Sequence, residues 1–501
     1  MTRASLFLIL VITSAARAQP AAAAGFDRAL TAQVYAEALA FIAPRTLEAV
    51  PVSRMATWGL RGLTALDPAL VVSTRDGRLR LIQAGRTLLD IEAPAKEEPE
   101  AWANAAADMA SAGSANSLTV RRAGAQGVVQ AFFDELFNHL DPYSRYIGPA
   151  DAAEAAADRA GRAGLGITLG RQGTSIVVRA VIADSPAALG GLRVGDTILA
   201  VDGQAARGQD SATVAALIGG IEDSTVTVTW RGRDQKFVTA SFIRALVPPE
   251  TVFSERSGEL LLIRITGFSE TTDIRLAHSL QEGLAGPRPP AGIVLDLRGN
   301  RGGLVRQAVT VADMFLEDGI VATTAGRAPE ASHIWHSTEG ELAIGMPVVV
   351  MVDGHTASAA EILAAALADR RRAVAVGSVT LGKGLVQTID PLPDGGELYV
   401  TWSRVIAPRG WPIQGLGLLP QVCTSMGPEA ARRQLAILSD GIQPQARNIA
   451  AHRAARAALS NEQIAAIRQF CPPADGRETD LEAARVLIRD PAAYAAALLP
   501  R

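Results

Sequence analysis

Val349-Val350-Met351-Val352-Asp353-Gly354-His355-Thr356-Ala357-Ser358-Ala359-Ala360-Glu361-Ile362 runs from an apolar strand, through small residues, into a helix. Small neighbours let a substrate backbone approach the Ser358 hydroxyl, and the N–H of Ala359 can serve as an oxyanion donor. Upstream lies a second block, Ile293-Val294-Leu295-Asp296-Leu297-Arg298-Gly299-Asn300-Arg301-Gly302-Gly303-Leu304. There a buried-looking strand ends in a glycine loop that opens a helix, and the loop leaves backbone N–H groups free for an oxyanion. Downstream, Gly377 to Gln387 sets Lys383 among glycines and apolar residues. Free lysine titrates near ~10.4, and burial beside apolar groups lowers it by up to ~3–5 units. A neutral Lys383 can then take the proton of Ser358. From Glu259 to Ile406 strands alternate with helices: Leu260–Ile265 then Thr272–Leu284, Ile293–Leu297 then Leu304–Phe315, Val348–Val352 then Ala359–Leu367. That order predicts an α/β core.

Singly, a serine at a helix start is an N-cap and a lysine is a solvated surface charge. Their joint occurrence in ordered blocks favours a catalytic pair. Gln387 alone can be a satisfied polar residue, and His355 reads as a local hydrogen-bond partner because no Asp/His companion block exists. Gly377 to Lys383 has the spacing of a phosphate loop, but Gly384 stands where Ser or Thr should hold magnesium. Asn300-Arg301-Gly302-Gly303 is similar to the nucleophile loop of trypsin-like exported proteases with PDZ domains, but Arg301 occupies the serine position.

Outside the core, residues 26 to about 157 read as mostly helical, with a hairpin from Leu70 to Ile91 around Asp76-Gly77. Residues 160–245 read as short strands with one helix, Ser211 to Ile218. After Pro428 the chain is Ala-rich and helical, a cap or partner surface. In the β-rich segment, Gly164-Leu165-Gly166-Ile167, Asp184-Ser185-Pro186-Ala187, Gly191-Leu192, Gly195-Asp196-Thr197-Ile198 and Val201-Asp202-Gly203 resemble a PDZ domain. The resemblance implies a sheet edge beside a helix where an extended peptide adds as a strand, its terminal carboxylate held by the N–H groups of Gly164 to Ile167.

From about Leu140 to Pro420 the blocks resemble the C-terminal processing peptidases (tail-specific proteases, the S41 serine peptidases). The resemblance implies Ser358 as nucleophile, Lys383 as base, Gln387 as the residue that orients the lysine, and oxyanion donors from Ala359 and the Gly302-Gly303 loop. It implies a serine endopeptidase acting on proteins with apolar C-terminal tails; the rival reading is a non-catalytic PDZ scaffold with a relic fold. The chain departs from the family pattern at Thr356 and Ala360, where serines are usual, at Arg301, usually Pro, and at Gln421, usually Asp. The fold class is then multidomain α+β/α/β with a ClpP/crotonase-like core. Its expected segments are a signal peptide over 1–18, a mostly helical domain over 19–157, a PDZ domain over 158–245, a peptidase core over 246–425 and a helical region over 426–501.

A net charge of -3 gives no excess of positive charge for nucleic acid. Arg3, the apolar run Leu6 to Ile12 and Ala16-Arg17-Ala18 predict an export signal, hence a periplasmic chain, or a membrane-associated one if the signal is retained. In an oxidising compartment Cys423 and Cys471 can pair or stay as two buried thiols. Neither has a metal-ligand spacing to a histidine, so no metal or cofactor is expected. An activating or adaptor protein and a homodimer are the other partners considered, the latter through the terminal helices.

Overall fold

The computed structural model describes residues 26–182, 184–285, 287–338 and 340–500. The expected export signal lies outside the described residues. The chain divides into two compact units, one built around residues 51–136 with the stretch ending at Leu39, the other from residues 40–50 and 137 onward.

In the first unit, helices Val52–Leu60, Pro99–Asn116 and most of Leu118–Phe137 accompany a three-stranded antiparallel sheet, Leu70–Arg75, Arg78–Gln83 and Arg86–Glu92. The expected hairpin forms at Asp76-Gly77, both with positive φ (54° and 69°), which is the backbone of a two-residue I′ turn. A second turn of the same kind at Ala84-Gly85 (φ 48° and 82°) adds the third strand, which the sequence reading had folded into one hairpin. Tyr35 stacks on Phe132 with centroids 4.0 Å apart, and Gly59 makes room for that ring, since a Cβ there would lie 2.4 Å from it.

The second unit holds three sheets that matter for the site. In the β-rich segment the strand order is Phe237–Ile243, Thr225–Arg231, Thr197–Val201, Ser175–Val181, Ile167–Gln172, so Ile167–Gln172 is an edge strand. Helix Ser211–Ile218 packs beside it, started by Asp210, whose side chain accepts the Thr213 N–H at 2.7 Å.

The core sheet runs Val252–Ser257, Leu260–Ile265, Gly292–Asp296, Val348–Val352, Ala373–Gly377, Val422–Cys423, antiparallel at the first pair and parallel thereafter. Its three central strands are buried at every position, as a parallel sheet covered on both faces must be. Alternation divides them: Ile293, Leu295, Val348, Val350 and Val352 point to one core, Val294, Val349 and Met351 to the other. Helices Thr272–Leu284, Val305–Asp313 and Ala359–Asp369 cover the first face. The second is covered by the C-terminal helices Pro428–Ser439, Glu478–Arg489 and Pro491–Ala497, through Leu435, Leu438, Leu487 and Ala493. The C-terminal region is therefore a structural layer of the core.

Alternation of strands and helices does not persist to Ile406. A separate antiparallel sheet, His333–Ser337, Gly319–Gly326, Glu397–Ile406, Leu385–Pro391, intervenes, with Arg145–Ile147 paired to Glu397–Ile406. The Asp394-Gly395 turn drives it: Gly395 has φ 85°, and the Leu392 N–H bonds Gly396 O at 2.8 Å to close the hairpin. Among the described residues no helix is long and apolar enough to cross a membrane.

Candidate active site

The three sequence blocks meet at the carboxyl ends of adjacent parallel strands, where α/β sheets present their ligands. Ser358 stands between strand and helix with φ 57° and ψ −121°, a conformation that costs about 1–3 kcal/mol and persists only if its surroundings impose it. The constraint is visible. The Ser358 N–H donates to Glu361 Oε2 at 2.8 Å, and its carbonyl accepts the N–H groups of Glu361 (2.8 Å) and Ile362 (3.1 Å).

The glycine loop lies against this turn. A Cβ on Gly302 would sit 2.8 Å from Ser358 Cβ and 3.0 Å from the Ala359 nitrogen, so only glycine permits the approach. Ala357 N–H bonds Asn300 O at 2.9 Å, and Asp353 Oδ1 collects the N–H groups of Gly299, His355 and Thr356 at 2.9–3.0 Å. The Gly302 N–H is occupied, donating to Asn300 Oδ1 at 2.8 Å. The N–H groups of Ala359 and Gly303 have no acceptor among the described residues. Of the two loop glycines, only Gly303 keeps an unbonded N–H among the described residues.

Lys383 is half-buried. Desolvation, then the Arg145 guanidinium, push its ammonium below the usual lysine range, while Glu361 opposes them. Its Nζ lies 5.1 Å from the centroid of the Tyr143 ring, and no hydrogen bond joins it to Ser358 Oγ. What the two residues share is Glu361. This carboxylate is fully buried; Oε2 accepts the N–H of both Ser358 and Lys383 at 2.8 Å, and Oε1 accepts Gly382 N–H at 2.7 Å and the Thr380 hydroxyl.

Gln387 does not touch the lysine: its amide donates to Leu385 O and Thr401 Oγ1, both at 3.1 Å, and Thr401 in turn donates to Asp141 at 2.7 Å. His355 is exposed and pairs with Asp475 at 2.9 Å, leaving no contact with Ser358. Cys423 and Cys471 form a disulfide, with Cα atoms 5.7 Å apart. The bridge is close to the site, because Cys471 O accepts the Val379 N–H at 3.3 Å within the lysine loop.

In the β-rich segment a cavity of about 280 Å³ opens between the edge strand and helix Ser211–Ile218, lined by Gly164, Leu165, Gly166, Ile167, Ala215 and Ile218. Ile182 N–H bonds Gly166 O at 2.8 Å, which makes Ile167 and Val181 a non-hydrogen-bonded pair and turns the Ile167 N–H outward along the free edge. Gly166 has φ 75°, and a Cβ there would strike Ser185 Cβ at 2.3 Å.

Residues 259–424 match the model of peptidase family S41, and residues 177–232 match a PDZ domain. The carboxy-terminal-processing protease of Bartonella bacilliformis (strain ATCC 35685 / KC583 / Herrer 020/F12,63) is 33% identical over 301 residues, 59% of this chain and 69% of that one. The chain belongs to peptidase family S41. Carboxy-terminal processing protease CtpA of Bacillus subtilis (strain 168) is 32% identical, covering 56% of this chain and 60% of its own. A solved photosystem II D1 C-terminal processing protease aligns over 76% of this chain and 97% of its own, at 26% identity and a TM-score of 0.36. Membership makes the chain a serine-type peptidase and disfavours the non-catalytic scaffold.

As an S41 peptidase the chain departs from the family pattern at Thr356 and Gln421 with side chains that serve a structural bond. Thr356 is buried, and its Oγ1 bonds Leu297 O and the Asp353 N–H at 2.9 Å, a task for any hydroxyl. Gln421 is buried, and its Oε1 accepts the Ala375 N–H at 2.9 Å. Arg301 is exposed. The residue that sequence reasoning missed is Glu361. Its signal was present: serine at the N-cap and glutamate three residues on is the spacing of a capping box.

Proposed function

We propose that this S41 peptidase cleaves proteins presented by an apolar C-terminal tail, with Ser358 as nucleophile and Lys383 as its general base. The observation that carries the reading is that the backbone N–H groups of Ser358 and Lys383 share one oxygen of Glu361, each at 2.8 Å, so a single buried anchor fixes both residues. Lys383, held below the ordinary lysine range by burial, takes the Ser358 proton as Oγ attacks the scissile carbonyl. The tetrahedral oxyanion faces the N–H groups of Ala359 and Gly303. The Lys383 ammonium then protonates the leaving amine, and water, deprotonated by the same lysine, hydrolyses the acyl-enzyme. Gln387 can steady the ammonium through its amide oxygen, since the bonds to Leu385 O and Thr401 use only the amide nitrogen.

The tail's carboxylate is taken by the loop Gly164 to Ile167, its apolar side chain by the cavity between Ile167 and Ile218. The signal-like N-terminus supports an exported, periplasmic chain. An unstructured protein with an apolar tail, incubated with the parent chain and with its Ser358→Ala and Lys383→Ala forms, tests the chemistry. Cleavage by the parent alone is expected; comparable cleavage by either variant sinks the mechanism. For the tail, a free-acid peptide should bind at least tenfold more tightly than its amide, and equal binding refutes the carboxylate site.

A further inference from the structure

The family match ends at residue 424, yet one side chain beyond it comes within one residue layer of Glu361. Helix Asn461–Arg468 buries no residue completely, so it adds little to the hydrophobic core. Its last residue, Arg468, turns inward: Nη1 donates to Leu416 O at 2.8 Å and to Gly415 O at 3.3 Å. That segment is tied to the lysine loop, with Gly415 N–H on Gly382 O at 2.8 Å and Gly384 N–H on Gln414 Oε1 at 3.0 Å. Gly417 separates the guanidinium from Thr380, and a Cβ there would lie 2.8 Å from Arg468 Nη1 and 3.0 Å from Thr380 Oγ1. The Thr380 hydroxyl is bonded to Glu361. One residue layer therefore separates a partly buried cation from the buried carboxylate that holds Ser358 and Lys383.

We propose that Arg468 is the charge partner of Glu361 and thereby a positioning residue for Lys383. Burial pushes the Glu361 carboxyl up, opposed by the donors from Thr380, Gly382, Ser358 and Lys383. A general base must be neutral, so when Lys383 loses its proton the Glu361 anion needs another cation to persist. Arg468, which stays charged, supplies it. The charged and titratable groups around the pair are Arg145 and Tyr143 on the far side of Lys383 and His452 near Arg468. His452 accepts from Arg453 at Nδ1 and faces Gly417 O at 2.7 Å; burial first, then Arg453, hold it neutral, so it does not titrate in the working range.

The inference rests on the Ser358/Lys383 reading. Without Arg468 the field of Glu361 at Lys383 is opposed only by burial and Arg145, which favours the protonated lysine more than in the parent. The test is the pH dependence of kcat/KM for Arg468→Gln, which keeps a donor for Leu416 O but no charge, beside Arg468→Lys, which keeps the charge. Arg432→Gln, which removes an exposed arginine paired with Glu429, is the control for net charge. Arg468→Gln should move the acid limb upward by about one pH unit, an activity roughly tenfold lower below the limb and near parental on the plateau. Arg468→Lys and the control should keep the parental limb. A fall equal at every pH, with the limb unmoved, overturns the proposal. Should Arg468→Gln not fold, the charge-neutral Arg468→Gln/Glu361→Gln chain decides: recovered folding supports the pairing, and an equally unfolded chain overturns it. Activity in Lys383→Ala would mean that the base itself is misassigned, a failure distinct from an unmoved limb in a chain that needs Lys383.

Discussion

Replacing Glu361 separates an anchoring carboxylate from a merely buried one. Its two oxygens receive four donors: the Thr380 hydroxyl and Gly382 N–H at Oε1, and the Ser358 and Lys383 N–H groups at Oε2. Glutamine offers one oxygen and one NH₂. Turned so that its oxygen serves Ser358 and Lys383, it lets the Thr380 hydroxyl rotate to accept and strands only Gly382 N–H. One orphaned buried donor costs about 1–3 kcal/mol. Alanine strands the three backbone donors together, ~3–9 kcal/mol on the same scale, a large share of a typical domain's stability. Glu361→Gln should therefore fold with modestly lowered stability and reduced kcat/KM, whereas Glu361→Ala should lose the ordered lysine loop. Urea unfolding of both variants in a Ser358→Ala chain, where self-cleavage cannot intervene, measures the stability arm; cleavage of an unstructured apolar-tailed protein measures the other. A Glu361→Ala chain within about 0.5 kcal/mol of its parent, the range of an ordinary surface change, would refute the anchor.

Gly302→Ala should abolish cleavage, because its Cβ would meet Ser358 Cβ at 2.8 Å, while peptide binding at the Gly164–Ile167 loop stays unchanged by fluorescence titration. Cys423→Ser opens a 48-residue loop, which by chain entropy removes about 4 kcal/mol and should lower both the melting temperature and activity. Since Lys383 must be neutral and is held below the lysine range, kcat/KM should rise with pH and level off below ~10.4, and Lys383→Arg, charged throughout, should be inactive at every pH.

The catalytic strands were legible because their apolar runs had nowhere to go but inside: Leu260–Ile265 and Val348–Val352 lie where the sequence placed them, and helix Thr272–Leu284 has the expected limits. The order of the blocks that carry Ser358 and Lys383 was legible as well, and the structure brings those blocks together. The antiparallel sheet around Leu385–Pro391 was not, since its strands alternate weakly and their pairing with Gly319–Gly326 and Arg145–Ile147 spans the chain. Glu361 and Arg468 escaped for a different reason. A charged residue on a helix reads as solvated, and only tertiary packing reveals that Glu361 is buried with every donor accounted for. For Gln387, sequence spacing cannot tell that its amide nitrogen is committed to Leu385 O and Thr401 Oγ1.

The late position of the elements that brace the lysine loop bears on how the enzyme comes into being. A chain synthesised from its N-terminus presents Ser358 and Lys383 well before Cys471 and Arg468 exist. Domains generally mature in that order, but here Ser358 and Lys383 emerge before the disulfide and before Arg468. On the proposed roles of Lys383 and Arg468, the complete lysine loop can assemble only after the last of these elements has been synthesised.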